Sequence, residues 1–429
     1  MKAKADFSWP VIVAGGGASG LTAAIAAAQA GARTLLLEKN ARVGKKILTT
    51  GNGRCNYTNQ RVSVQDYYGQ QPDFVQGAFT VLSPAATVEW FKTLGIEPRL
   101  EEDGKIFPRS EQASSVLDVL RYECLNLGVD IQCEAEARSL SVDRQLLQVK
   151  MADGHAYHAQ TVVLATGGKA CPASGSNGSG YRLAAALGHT ITPVFPSLVQ
   201  LMLAGNTHKS LAGVKVNGRA ELWSGERMLL SDRGDLLFTD YGISGPPILQ
   251  LSRPAGACLQ AGGQPRLKLV LVEDRDYSSL FHFLKQRFQY SHNKEVTASL
   301  IGFIHKRLIP PLLQAAGLEY RNRPASSLNP KEIAAVARVL TGWEFTVKGS
   351  KGWNSAQITA GGVATAEVDP HTMASRLVPG LFLAGELLDI DGRCGGFNLQ
   401  WAWSSGWVAG YNAAVYAQAK AGGAHAARN

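Results

Sequence analysis

The apolar positions at the start of the chain do not alternate. Val11-Ile-Val-Ala14 is a continuous run, as expected of a strand covered on both faces. It enters Gly15-Gly-Gly17, an alanine-rich helical stretch, and a second apolar run, Leu35-Leu-Leu37, that ends on Glu38. Helical periodicity is read over Pro84–Leu94 and Gln112–Gly128, and a strand over Val129–Cys133. Leu146–Met151 and His155–His158 alternate around Ala152-Asp-Gly154, a hairpin signal. Thr161–Ala165 is another buried strand, running into Thr166-Gly-Gly168, with a short helix over Gly180–Gly188.

From about Thr190 the pattern changes. Val214–Trp223 alternates, turns follow at Ser224-Gly225 and Arg233-Gly234, and Leu236–Thr239 closes the run. This predicts an antiparallel sheet or small barrel. Residues 277–340 read as helical, broken by Pro310-Pro311 and Pro324–Pro330. Strand character returns at Gly380–Gly385, and Gly395–Gly406 opens a final helix. The simplest architecture is α/β: a Rossmann-type domain formed by both ends of the chain (1–190 and 355–429) around an insert, 191–354. Within the insert, about 191–276 and 341–354 are β and about 277–340 helical. No internal repeat or low-complexity segment is found.

The length of 429 residues allows two or three domains, and 45% hydrophobic with 18% charged residues suits a globular protein. No apolar run approaches a membrane span, and the N-terminus carries no apolar signal core. Six scattered cysteines without a CxxC pair argue against zinc and against a disulfide framework, and favour a reducing cytoplasm. The nine histidines form no HxH or HxxxH pair, so no metal site is expected.

The net charge of +9 is concentrated. Between Phe281 and Lys351 eleven Lys/Arg face four acids, with eight aromatic residues interleaved and Trp353 just beyond. Such a segment can hold a nucleic-acid backbone and stack bases; equally, it can be a solvated basic face over an ordinary aromatic core.

The chemistry lies in the glycines. In Gly15-x-Gly17-x-x-Gly20 the first glycine permits a tight turn, the second lets backbone N–H groups approach a pyrophosphate, and the third lets helix and strand pack closely. The helix N-terminus adds free donors and partial positive charge. Glu38, 18 residues after Gly20, stands where a carboxylate accepts from a ribose. Two further glycine elements, 165–168 and 385–396, also follow apolar strands. Three such elements suit a long ligand lying across the sheet, so FAD fits better than NAD. The third, a strand, Gly385-Glu386 and a glycine-rich helix start, resembles the second flavin signature of two-dinucleotide flavoproteins, which implies Glu386 at the ribitol and the N–H groups of the following helix at the pyrimidine edge of the flavin. After Glu38, Asn52-Gly53 forces a turn beside Arg54, Cys55 and Asn56. Arg54 suits a pyrophosphate or a substrate anion; Cys55 is either a thiol near the flavin or a small packing residue. Asp389, Asp391 and Arg393 either touch flavin or substrate, or cap and pair within a loop.

Taken together, Gly15–Gly20, Gly51–Asn56, Ala165–Gly168, Phe238–Pro246, Gln357–Gly362 and Gly385–Trp401 resemble the BaiN/RdsA flavoprotein family, also labelled aminoacetone oxidase family FAD-binding proteins. The resemblance spans residues 11 to 411. It implies a Rossmann-type FAD domain with a β-barrel and helical insert. It leaves open whether the substrate is a steroid double bond, a uridine in ribosomal RNA or an amine.

The expected cofactor residues are Gly15, Gly17, Ala18, Ser19, Gly20, Glu38, Lys39, Lys46, Thr50, Gly51, Gly53, Arg54, Cys55, Thr166, Gly167, Gly168, Gly385, Glu386, Asp391, Gly396, Phe397, Asn398, Leu399 and Gln400. Arg54, Cys55, Asn56 and Arg393 are the catalytic candidates. The expectation is a non-covalent FAD, since no His or Cys attachment motif is evident, in a cytoplasmic oxidoreductase. NAD(P)H is the candidate small-molecule donor, although no second GxGxxG is present to bind it. Uridine of 23S ribosomal RNA, held through the basic 281–351 stretch, is the leading substrate. A small-molecule ene-reductase, an amine oxidase and a non-catalytic FAD-stabilised RNA-binding protein are the alternatives.

Overall fold

The structure is a computed structural model describing residues 8–291 and 294–426, with side chains up to 421. The chain forms two compact units, one from the segments up to Phe195 and from Gln357, the other from Pro196–Ala356.

The first unit is built on a seven-stranded sheet. Its parallel part places Asp130–Gln132, Thr34–Leu37, Ser8–Ala14 and Ala156–Leu164 side by side. Val13 is in register with Leu36 on one side and Val163 on the other. The strand Ala156–Leu164 changes partners along its length. Its first half pairs antiparallel with Leu146–Met151, and its last three residues pair parallel with Leu381–Leu383. Thus the C-terminal segment returns to the sheet beside the N-terminal one. Val11, Ile12, Val13, Val162 and Val163 are wholly buried, as the unbroken apolar runs require.

Two helices fix the ends of these strands. Ala18–Gln29 follows the first strand, and Phe397–Ala426 follows the last. They pack backbone against backbone: a Cβ on Gly406 would lie 2.3 Å from the Ser19 carbonyl oxygen, and one on Gly410 would lie 2.0 Å from that of Ala23.

The second unit contains a closed six-stranded barrel of Leu201–Leu203, Gly242–Ser244, Arg227–Phe238, Lys215–Ser224, Pro265–Val270 and Trp343–Ser350. Leu222, Leu236, Phe238, Leu267 and Leu269 are fully buried. Helices Tyr277–Gln289, Ile309–Ala315 and Pro330–Thr341 share one hydrophobic core with it. The helix Pro246–Gln260 carries Pro254 inside and has no counterpart in the sequence reading.

Candidate cofactor and active site

The first glycine element divides into structural and open positions. Gly15 has φ +109°, and a Cβ there would lie 2.4 Å from the Ala165 carbonyl oxygen. A Cβ on Gly20 would lie 1.8 Å from the Gly15 oxygen. These two glycines let the first strand, the first helix and the second glycine element meet. Gly17 differs: a Cβ on it would meet nothing within 4 Å. It caps the helix without any side-chain cap, and the first intrahelical bond runs from Leu21 N–H to the Gly17 oxygen. The N–H groups of Ala18, Ser19 and Gly20 therefore have no intrahelical acceptor.

Glu38 closes this element from the second strand. It is 8% exposed, and its Oε2 accepts the Gly16 N–H at 2.8 Å. Its Oε1 accepts from the backbone and side chain of Asn40, at 2.8 and 2.6 Å. The carboxylate thus shapes the glycine turn itself, while its remaining lone pairs stay suited to a ribose. Next to it, the Lys39 ammonium is shielded from solvent without a hydrogen-bond partner, and burial holds its pKa below the usual lysine value.

The third element meets the second. A Cβ on Gly168 would lie 2.4 Å from Thr359 Oγ1 and 2.8 Å from Glu386 Oε1. Thr359 Oγ1 accepts the N–H groups of Lys169 and Ala170, and its own N–H donates to Glu386 Oε1 at 2.8 Å. Lys46 Nζ bonds Glu386 Oε2 at 2.6 Å, so two residues 340 apart in sequence form a half-buried ion pair. Gly385, at φ +72°, leaves room for Ser19, whose Oγ would be 2.5 Å from an added Cβ. Thr166 and Gly167 lie at the end of the strand Ala156–Leu164.

The segment after Glu38 and the start of the last helix come together. Gly51, Asn52, Gly53 and Cys55 all have φ between 55° and 85°, a left-handed turn that begins after Thr50. Gly53 faces open space, as Gly17 does. A Cβ on Gly396 would lie 2.4 Å from the Thr58 oxygen and 3.0 Å from Asn56 Oδ1. Asn59 Nδ2 donates to the Gly395 oxygen, and Trp403 Nε1 to that of Tyr57, at 2.9 and 2.8 Å.

Several expected site residues are engaged within the protein. Arg54 pairs with Glu101 and, at 3.7 Å, with Glu111, and stacks 4.1 Å over Phe107; its charge is already compensated rather than offered to an anion. Cys55 is fully buried, and burial pushes its thiol up to about 12, so it stays protonated at neutral pH and packs. Asn56 Oδ1 accepts the Ile106 N–H. Arg393 pairs with Asp66 at 3.4 Å, and Asp391 is buried in a two-residue strand against Tyr68. Asn398 locks the preceding loop, accepting from Gly392 N–H and donating to the Gly392 and Arg393 oxygens. The Phe397 carbonyl accepts from Tyr67, and Leu399 packs against the core. Gln400 is corrected outright: it is wholly buried and its side chain is satisfied by Thr58, Leu82, Thr87 and Ser404, leaving nothing for a ligand. Sequence reasoning assigned no role to Asn40, Thr359, Ser176 or Tyr181. Asn40, two residues past the key acid, was the one with a local signal.

Two open glycine positions, an unpartnered buried ammonium beside the ribose-type acid, and helix N-termini at the first and third elements fit a flavin dinucleotide. Residues 9–412 match the family described as the HI0933-like protein Rossmann domain. The chain belongs to this FAD-binding Rossmann family. The family is one of FAD-dependent oxidoreductases, and this chain has its α/β Rossmann-like fold together with the six-stranded barrel. A 3-dehydro-bile acid delta(4,6)-reductase of Clostridium scindens is 39% identical over 407 residues, covering 94% of this chain and 98% of its own. The ribosomal RNA dihydrouridine synthase of Escherichia coli is 32% identical over 404 residues, covering 92% and 96%. That of Haemophilus influenzae is 28% identical over 403 residues, again covering 92% and 96%. Among the described residues no cluster could hold a metal ion, and no helix is long and apolar enough to cross a membrane.

Proposed function

We propose that this protein reduces a carbon–carbon double bond conjugated to a carbonyl, with uridine in ribosomal RNA as the substrate and NADH or NADPH as the donor. The names of the relatives share that chemistry: in a 3-oxo steroid and in uracil alike, the double bond is polarised by a carbonyl. Bound FAD, once reduced by that donor, would supply the hydride. The chain's part is to hold and orient it. Gly17 and the first-turn amides take the pyrophosphate, Glu38 and Lys39 the adenosine end, and Glu386, positioned by Lys46 and Thr359, the flavin end. The amides at the start of the last helix favour negative charge on the ring.

The observation that carries the RNA reading is surface charge. Lys285, Lys294, Lys306, Arg321, Lys331, Arg338, Lys348 and Lys351 are all exposed, in a stretch with three exposed acids. The interleaved aromatic residues add little stacking surface to it. Phe288, Trp343 and Phe345 are core, and Phe283 packs on Phe303 beneath Arg287. Tyr290, 82% exposed, is the one aromatic of the stretch that stands well out. The insert would grip phosphates, not stack bases. A small-molecule enone is the second reading, favoured by the 39% identity to the bile-acid reductase.

The test is direct. Holoprotein with NADPH is offered 23S ribosomal RNA or a 3-oxo-4,6-diene steroid, and products are read by mass spectrometry. A gain of two hydrogens in a uridine supports the first reading; turnover of the steroid alone replaces it with the second.

A further inference from the structure

Three hydroxyls in one segment, 166–181, are shielded from solvent: Thr166 Oγ1 and Ser176 Oγ have no hydrogen-bond partner in the protein, and Tyr181 OH has none beyond Thr359. A buried hydroxyl without a partner is destabilising, and such groups are rare in native proteins unless something outside the chain satisfies them. Ser176 and Tyr181 are 6% and 8% exposed.

Their positions trace a row. Ser176 Oγ lies 3.0 Å from where a Cβ on Gly167 would stand. The adjoining Gly175 packs on Lys39 and Asn40, and Asn40 is bonded to Glu38, so Ser176 belongs to the Glu38 end. Thr166 Oγ1 sits against Gly180, where an added Cβ would be 1.8 Å away. Tyr181 follows directly, beside Glu386 and Asp389. Burial first, then these two carboxylates, hold its phenol protonated far above neutrality, so it acts as a donor. Thr359 Oγ1 accepts two backbone N–H groups, so toward Tyr181 it can only donate its O–H to the phenol oxygen, which leaves the phenol proton without an acceptor.

We propose that Thr166, Ser176 and Tyr181 bind the sugar hydroxyls of the dinucleotide, Ser176 at the adenosine ribose beside Glu38 and Tyr181 at the polyol chain of the flavin beside Glu386. This rests on the FAD reading above and assigns which protein hydroxyl reads which part of the ligand. Each group can give and take a hydrogen bond, which matches a hydroxyl-bearing ligand better than a purely anionic one. The rival explanation is buried water.

The test uses apoprotein, the variants Ser176→Ala and Tyr181→Phe, and three probes: FAD, and ADP and FMN as competitors representing its two halves. Ser176→Ala should weaken FAD and ADP about five- to thirtyfold and leave FMN unchanged. Tyr181→Phe should weaken FAD and FMN by a similar factor and leave ADP unchanged. The losses in the double variant should multiply, because the two ends are separate. Apoprotein melting temperatures should hold or rise, since a dissatisfied buried hydroxyl has been removed. Unchanged FAD affinity with lowered melting temperatures would make the hydroxyls structural, satisfied by water, and overturn the proposal while leaving the FAD site standing. Loss of both halves equally in either variant would overturn the assignment of ends. Wild-type protein that binds none of the probes would overturn the FAD reading itself.

Discussion

Gly17 and Gly20 stand three residues apart in one motif, yet the structure gives their replacement opposite consequences. In Gly20→Ala the new Cβ would lie 1.8 Å from the Gly15 oxygen, against a practical limit of 3.0 Å. Gly15 cannot retreat, because its own α-carbon faces the Ala165 carbonyl at a distance that admits no Cβ. Overpacking of this kind costs about 1–3 kcal/mol or more. At about 2–4 °C per kcal/mol for a domain of this size, the apoprotein should melt several degrees lower. In Gly17→Val the side chain enters open space, and the extended backbone at φ −84°, ψ −165° accepts it. The one structural cost is replacing glycine at a helix N-cap, at most about 1 kcal/mol. The space it fills is where the proposed site places the pyrophosphate. Losing two N–H bonds to a charged phosphate, at about 1.5–3 kcal/mol each, weakens FAD about 10²–10⁴-fold. The assay is thermal melting of both apoproteins, with FAD titrated by flavin fluorescence. Near-wild-type FAD affinity in Gly17→Val would refute the phosphate site. A Gly17→Val apoprotein less stable than Gly20→Ala would refute the division between open and packed glycines.

Other outcomes follow from single contacts. Gly410→Val should destabilise the first unit by separating two helices whose backbones touch at Ala23, read as a lowered melting temperature with or without FAD. Cys55→Ala should keep turnover, and the Cys55 thiol should resist alkylation at pH 8 in native protein, because burial keeps it protonated; loss of turnover with FAD content intact would restore a chemical role. Neutralising Lys285, Lys306, Arg321 and Lys331 together should weaken ribosomal RNA binding and flatten its salt dependence, with FAD content unchanged. Arg323 should not join that set: it is paired with Glu332, which caps the helix Pro330–Thr341, and Arg323→Gln should lower stability. His189 is buried neutral between Glu367 and Ser375, with its pKa lowered by desolvation. The unfolded chain therefore takes up its proton first, so this residue's contribution is intact above about pH 6.5 and is lost as pH falls below it. A melting-temperature profile from pH 7 to 5 should be shallower in His189→Gln than in wild type; an equal slope would count against this.

Strand, glycine turn, helix, strand and acid were legible because each link is local, joined by a few residues whose backbone needs admit few side chains. The helix Pro246–Gln260 was not: it holds Pro246, Pro247 and Pro254, a residue type that ordinarily interrupts a helix. Two of them occupy the first turn, where proline removes no intrahelical bond, and tertiary packing of Ile248, Leu251 and Ala255 holds the helix through the third. Pairs such as Lys46–Glu386, and the neutralisation of Arg54 by Glu101 and Glu111, depend on the fold having already formed. Nothing within a window of sequence announces them.

The deeper limit is that sequence records which residue is present but not which neighbour it serves. Gly15, Gly17 and Gly20 are equivalent letters in one motif, and only a Cβ placed on each separates the two that close the fold from the one that leaves room for a ligand. The same holds for polar residues. Gln400 and Glu386 both lie in the third glycine region, yet Gln400 has every hydrogen-bonding group of its side chain matched by the protein. Ser176, in a loop without any recognisable signature, has its hydroxyl unmatched, and Tyr181, in a short helix, has no partner beyond Thr359. A binding site in this chain is therefore marked less by polar residues than by polar residues the fold declines to satisfy. Among the described residues Lys39, Ser176, Thr166 and Tyr181 are the ones of this kind that stand beside the glycine elements, and that placement is what the proposed sugar contacts rest on.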